Sequence, residues 1–155
     1  MEDFMIARAV HVLSVLFWIG GVAFVTTVLM PSIRRSTPPL DRLESFHRFE
    51  GRFAPQAGVW VLIAGASGLW MIYRADLWDR FADPQYWWMH AMVAVWLIFA
   101  LMLFVIEPLF LHRRMTISPD PARDFARLER MHWIALLLSL VTTLGSVAGS
   151  HGWPF

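Results

Sequence analysis

The sequence predicts an all-α fold: an integral membrane four-helix bundle running up and down, formed by one domain of 155 residues. Three observations carry this. Apolar runs of about 20 residues, enough to cross the hydrocarbon of a bilayer, recur four times along the chain. The composition is 57% hydrophobic with a mean hydropathy of +0.52, too apolar for an ordinary soluble domain. Basic charge is also concentrated in two of the connections. All 13 basic residues are arginine; Arg34, Arg35, Arg42, Arg48 and Arg52 lie in one connection, and Arg113, Arg114, Arg123, Arg127 and Arg130 in another.

Segment one covers residues 4–30 and is expected to stop before Pro31. Glu2 and Asp3 stand where a signal peptide would be basic, so this run reads as a span. Residues 40–53 place Leu43, Phe46, Phe49 and Phe53 at helical spacing, which predicts an interfacial amphipathic helix. Segment two covers 54–73 and carries the small run Ala64, Gly65, Ala66, Ser67, Gly68. A short connection mixes Asp76, Asp79 and Asp83 with Arg74 and Arg80. Segment three covers 86–111, interrupted late by Glu107 and Pro108, and segment four covers 131–149.

The two arginine-rich connections share one side, so the positive-inside rule makes that side cytoplasmic and puts both termini outside. Trp70, Tyr73, Trp78, Tyr86, Trp87, Trp88 and Trp153 gather at the opposite interface as an aromatic belt. The absence of cysteine excludes disulfides, thiolate-bound iron–sulfur clusters and covalent c-type haem. The expected surroundings are a lipid bilayer, with no nucleic-acid partner.

Chemistry is sought first at the histidines, because an ionisable side chain within a span is costly to place. His11 lies near the outer end of segment one, and Trp18, two turns later, projects from the same face. Gly20 and Gly21 then remove bulk, as helices do where they approach a neighbour. His90 enters segment three from the same side, at a depth within roughly 5 Å of His11. Two imidazoles so placed are candidate axial ligands of a b-type haem. Gly65, Gly68, Gly145, Gly149, Ala91 and Ala94 would give a porphyrin room, and Arg8 and Arg74 would meet its propionates. The same residues also read as close packing and a structural hydrogen bond. His151 and His132 are lesser candidate ligands, His151 lying just past segment four. Copper is the competing metal, because Met5, Met71, Met89 and Met92 lie near the outer histidines.

On the inner side, His132 begins a polar stripe with Ser139, Thr142 or Thr143, Ser146 and Ser150, which reads as glue between helices. His132 with His47 or His112 would make a second haem site, or these histidines sit at a solvated interface. Glu107 can accept protons or pair with Arg113 or Arg114.

The run H-V-L-S-V-L-F-W-I-G-G from His11, the Y-W-W-M-H opening of segment three and L-E-R-M-H-W-I-A-L-L-L-S-L-V-T-T-L-G-S-V-A-G in segment four resemble the copper-resistance D superfamily. These are four-helix bacterial membrane proteins, related to the four-helix protoporphyrinogen oxidases. The resemblance implies a bacterial inner (cytoplasmic) membrane and ligand roles for His11 and His90. The chain departs from the oxidase branch in carrying Met92 where that branch has a lysine. The expected function is therefore that of a b-type haem protein in redox or electron transfer at the outer side, with a quinone or redox protein as counterpart. As an enzyme it would be an oxidoreductase acting on a porphyrinogen or quinol. The alternatives are a copper-handling transporter or chaperone and a cofactor-free structural subunit of a larger complex. A homo-oligomer fits any of them.

Overall fold

The computed structural model describes residues 2–111 and 118–152, the side chains of 108–111 excepted. Among the described residues there is no strand. Helix α1 (Glu2–Phe24) passes through a π-helical stretch, Val25–Leu29, into α2 (Met30–Ser36). Helix α3 (Arg42–Arg74) returns, and two 3₁₀ turns, Trp78–Ala82 and Pro84–Tyr86, lead to α4 (Trp87–Leu101). Helix α4 runs on into a π-helical stretch, Met102–Leu111, and α5 (Pro121–Ser150) completes the bundle. Four of these helical runs are long and apolar enough to cross a membrane. Large apolar side chains such as Leu13, Leu62, Leu97 and Leu144 stay exposed on the outside of the bundle, a surface suited to lipid.

The prolines act differently from their local reading. Pro31 falls in the first turn of α2, Pro55 lies inside α3, and Pro108 lies within Met102–Leu111; the helical path continues through all three. Ahead of Pro31, the π-helical stretch absorbs the missing donor, with the Met30 N–H bonding to the Val25 carbonyl. The Thr27 and Ser32 hydroxyls donate to the carbonyls of Ala23 and Val28. A local change of helical register is one way a proline is accommodated, and here the helix survives it. Segment one therefore extends past Pro31 to Ser36.

Residues 42–53 are helical and continuous with segment two. From Arg42 they are the first turns of α3, whose 33 residues span about 50 Å against about 30 Å of hydrocarbon. Phe46 packs with Val25, Met30, Ile33 and Phe125 in one cluster, with Phe53 against it, while Phe49 is exposed. The apolar stripe finds protein instead of lipid because α2 and the start of α5 reach equally far. Helix α5 begins ten residues before the predicted span, with Asp120 accepting from the Arg123 N–H at its cap and Pro121 at its first turn. A second cluster fills the middle of the bundle: Trp18, Val22, Val61, Ala64, Val95 and Leu136.

Candidate functional site

At the end bearing the termini, α3 receives side chains from both neighbours. The His11 Nδ1 lies 2.9 Å from the Ala64 carbonyl and 3.2 Å from the Ser67 hydroxyl. A carbonyl only accepts, so Nδ1 carries the proton and Nε2 keeps its lone pair. The ring lies over Gly68, where an added Cβ would come within 3.2 Å of it. From the other side, the Trp96 Nε1 donates to the Val61 carbonyl at 2.8 Å, and its indole would lie 2.6 Å from a Cβ at Gly65. Trp87 fills the space beside Gly145, and Trp88 the space beside Gly149. The glycines expected to make room for a porphyrin thus make room for indoles and for His11 itself.

His90 is exposed, its ring edge-on to Phe81 at 5.3 Å. The structure thus gives the two imidazoles different surroundings: His11 turns onto α3, while His90 turns outward. As packed, the residues present fit one axial imidazole and not the pair. Arg8 and Arg74 are exposed, and so is His151, whose Nδ1 lies 2.8 Å from the Val147 carbonyl. Met89 is buried and Met5 exposed, so the outer methionines do not share one environment. Among the described residues no group of three or more His, Cys, Asp or Glu side chains is placed to hold a metal. Trp153, His112, Arg113 and Arg114 lie outside the described residues.

The half of the bundle toward the arginine-rich connections is built differently. Here all four helical runs surround a cavity of about 370 Å³. Its walls are mostly apolar, with Trp18 and Phe99 at one end, Ala57 and Ala135 across from each other, and Glu50, Glu107 and His132 as the ionisable lining residues. Trp18 and Phe99 pack edge to face at 5.0 Å. Trp18 is buried, yet its indole N–H has no hydrogen-bond partner among the described residues. An orphaned buried donor costs about 1–3 kcal/mol and points to a ligand or water that would accept from it.

The polar lining is held from behind. The His132 Nδ1 donates to the Leu128 carbonyl at 3.0 Å, leaving Nε2 as an acceptor. His47 Nδ1 lies 3.0 Å from the Glu50 carboxylate, and its Nε2 is buried without a partner among the described residues. Glu107 lies within electrostatic reach of both Glu50 and His47. The rings of His47 and His132 each meet Phe46 edge to face, at 5.8 and 5.5 Å. The hydroxyls of the stripe that begins at His132 bond within their own helix: Ser139, Thr143, Ser146 and Ser150 each donate to one of its carbonyls. Buried Ser139 and Thr142 contribute close packing.

The seven-residue spacing of His11 and Trp18 does place both on the bundle-facing side of α1, with Ala7, Ser14 and Val22 also buried there. The residues the sequence did not single out are Glu50, Phe99 and the facing alanines Ala57 and Ala135. The one available signal was small residues at matching depth in segments two and four. No known protein family, curated protein or solved structure matches the chain.

Proposed function

We propose that the chain is a multi-pass protein of the bacterial inner membrane. Its arginine-rich end is cytoplasmic and both termini are outside. It has a redox role toward a lipid-soluble molecule of the quinol or porphyrinogen class, taken into the cavity between its helices. One observation carries this reading: Trp18, whose buried indole N–H has no partner among the described residues, is one of the residues that line an apolar cavity of about 370 Å³. That volume is in the range of small-molecule sites, and a few placed polar groups in an apolar lining are what orient a bound molecule. The arginine distribution supports the orientation, and the resemblance to the copper-resistance D superfamily supports the membrane assigned. Purification in native lipid, followed by extraction and mass spectrometry, tests the reading. A quinone or porphyrin retained in near-stoichiometric amount is expected, and an extract containing phospholipid alone would refute it.

A second reading has its own observation. His11, held through Nδ1, presents Nε2 as metal-binding imidazoles do, which favours a b-type haem at the outer side with His11 as its one protein ligand. A reduced-minus-oxidised spectrum decides this. A Soret and α-band pair lost in His11→Ala supports haem ligation, and a spectrum unchanged by that substitution removes it.

A further inference from the structure

The geometry points to a neutral, tailed quinone as the molecule this cavity takes, entering sideways from the lipid between α4 and α5. The inference rests on the cavity reading above and narrows it. Charge decides first. The ionisable lining residues are Glu50, Glu107 and His132, and no arginine appears among the described lining residues. Porphyrinogens carry carboxylates and would meet two more carboxylates with no arginine among the described lining residues to pair them, in surroundings of low polarity where like charges repel strongly. A quinone brings no charge. Its carbonyl is the acceptor that the Trp18 N–H lacks, and its flat ring suits a site ended by the Trp18 and Phe99 rings.

The path of entry follows from the way α4 and α5 meet. Near the termini the two helices are close, with Trp87 seated against Gly145 and Trp88 against Gly149. Toward the arginine-rich end they part around the cavity. Ile98 of α4 and Ile134 and Leu138 of α5 line the cavity and are 48%, 52% and 47% exposed. Apolar side chains that are half accessible at this seam make it the place where a headgroup can lie inside while its isoprenoid tail stays in the bilayer. On the far side, Glu50 bonded to His47 lies between the cavity and the end of the bundle, where a bound quinol hydroxyl would find acceptors.

The test uses the full chain in nanodiscs of phosphatidylethanolamine and phosphatidylglycerol, photolabelled with an azidoquinone and mapped by peptide mass spectrometry. Label is expected on residues 98–103 and 131–138, removed by excess decylubiquinone and unaffected by protoporphyrin IX. Trp18→Phe is expected to raise the decylubiquinone concentration needed for half protection about tenfold, by loss of one buried hydrogen bond. Ala135→Phe, which fills the cavity, should abolish the protected label. Protection by protoporphyrin IX and not by decylubiquinone would overturn the quinone assignment while leaving the cavity as the functional site. Label spread over the lipid-facing helices and protected by neither compound would overturn both.

Discussion

Trp96 on α4 and Trp18 on α1 each put an indole toward the centre of the bundle. Trp96 is placed as a packing residue: its ring occupies the space beside Gly65 and its N–H is bonded to the Val61 carbonyl. Trp18 is more deeply buried and leaves its N–H unpaired beside a cavity. The contrast extends to the two halves they belong to. In the half bearing the termini, every glycine beside an indole has its space filled. In the other half, alanines face each other across space, and ionisable groups line it. One half is built for stability and the other leaves room, which is how a small bundle can hold a ligand without losing its fold.

The largest expected effect comes from disturbing the filled half. Gly65→Leu sets a branched side chain where even a Cβ would lie 2.6 Å from the Trp96 ring. Overpacking of this kind costs about 1–3 kcal/mol and occasionally more. The variant should lose several degrees of thermal stability in detergent, followed by fluorescence-detected size exclusion. A stable Gly65→Leu protein would mean that the indole moves freely and that this half is not close-packed.

The two tryptophans compared directly should differ in the size of the consequence. Trp96→Phe removes a second donor from the Val61 carbonyl, which keeps its bond within α3, and opens space beside Gly65, at a cost of about 2 kcal/mol. Trp18→Phe removes a donor that had no partner, so relief of that desolvation penalty offsets the lost volume, for a net change within about 1 kcal/mol. Equal destabilisation of both variants would show that the Trp18 N–H is satisfied after all, and the contrast between the halves would fail at its centre.

The bundle was legible because apolar run length is a one-dimensional property, and so was the shared face of His11 and Trp18, which needs only the helical period. The pairing of His11 with His90 was not legible. Depth along a helix fixes height but not rotation, and rotation is set by packing. Trp88 and Met89 are buried, so His90, a further 100° round the helix, turns outward. With Val95 also buried, the inward face of α4 passes through residues 88, 89 and 95. That face becomes visible only once the glycines of α5 are seen to accept the indoles of Trp87 and Trp88. The prolines misled for a related reason. Helix-breaking rules describe a chain in water, where a freed carbonyl finds a partner outside the helix. The cavity was least legible of all, since an orphaned donor is defined by what does not surround it.

The smallest expected effect is at Ala135, and the same substitution made at Ala64 sets it against the filled half. Ala64 is buried in the central cluster under His11, and Ala135 borders the cavity. A phenyl group placed at Ala64 has nowhere to go without displacing the imidazole or Val61, and Ala64→Phe should cost about 3 kcal/mol. At Ala135 the same ring enters about 370 Å³ of apolar space. Filling a cavity commonly gains about 0.5–2 kcal/mol, and strain at the helix surface will consume part of that. Ala135→Phe should therefore be neutral or slightly more stable than the parent by thermal unfolding, while binding no quinone. A melting temperature that falls as far as that of Ala64→Phe would show that the space closes in the membrane. In that event the half read as open is packed like the other, and the carboxylates lining it are structural.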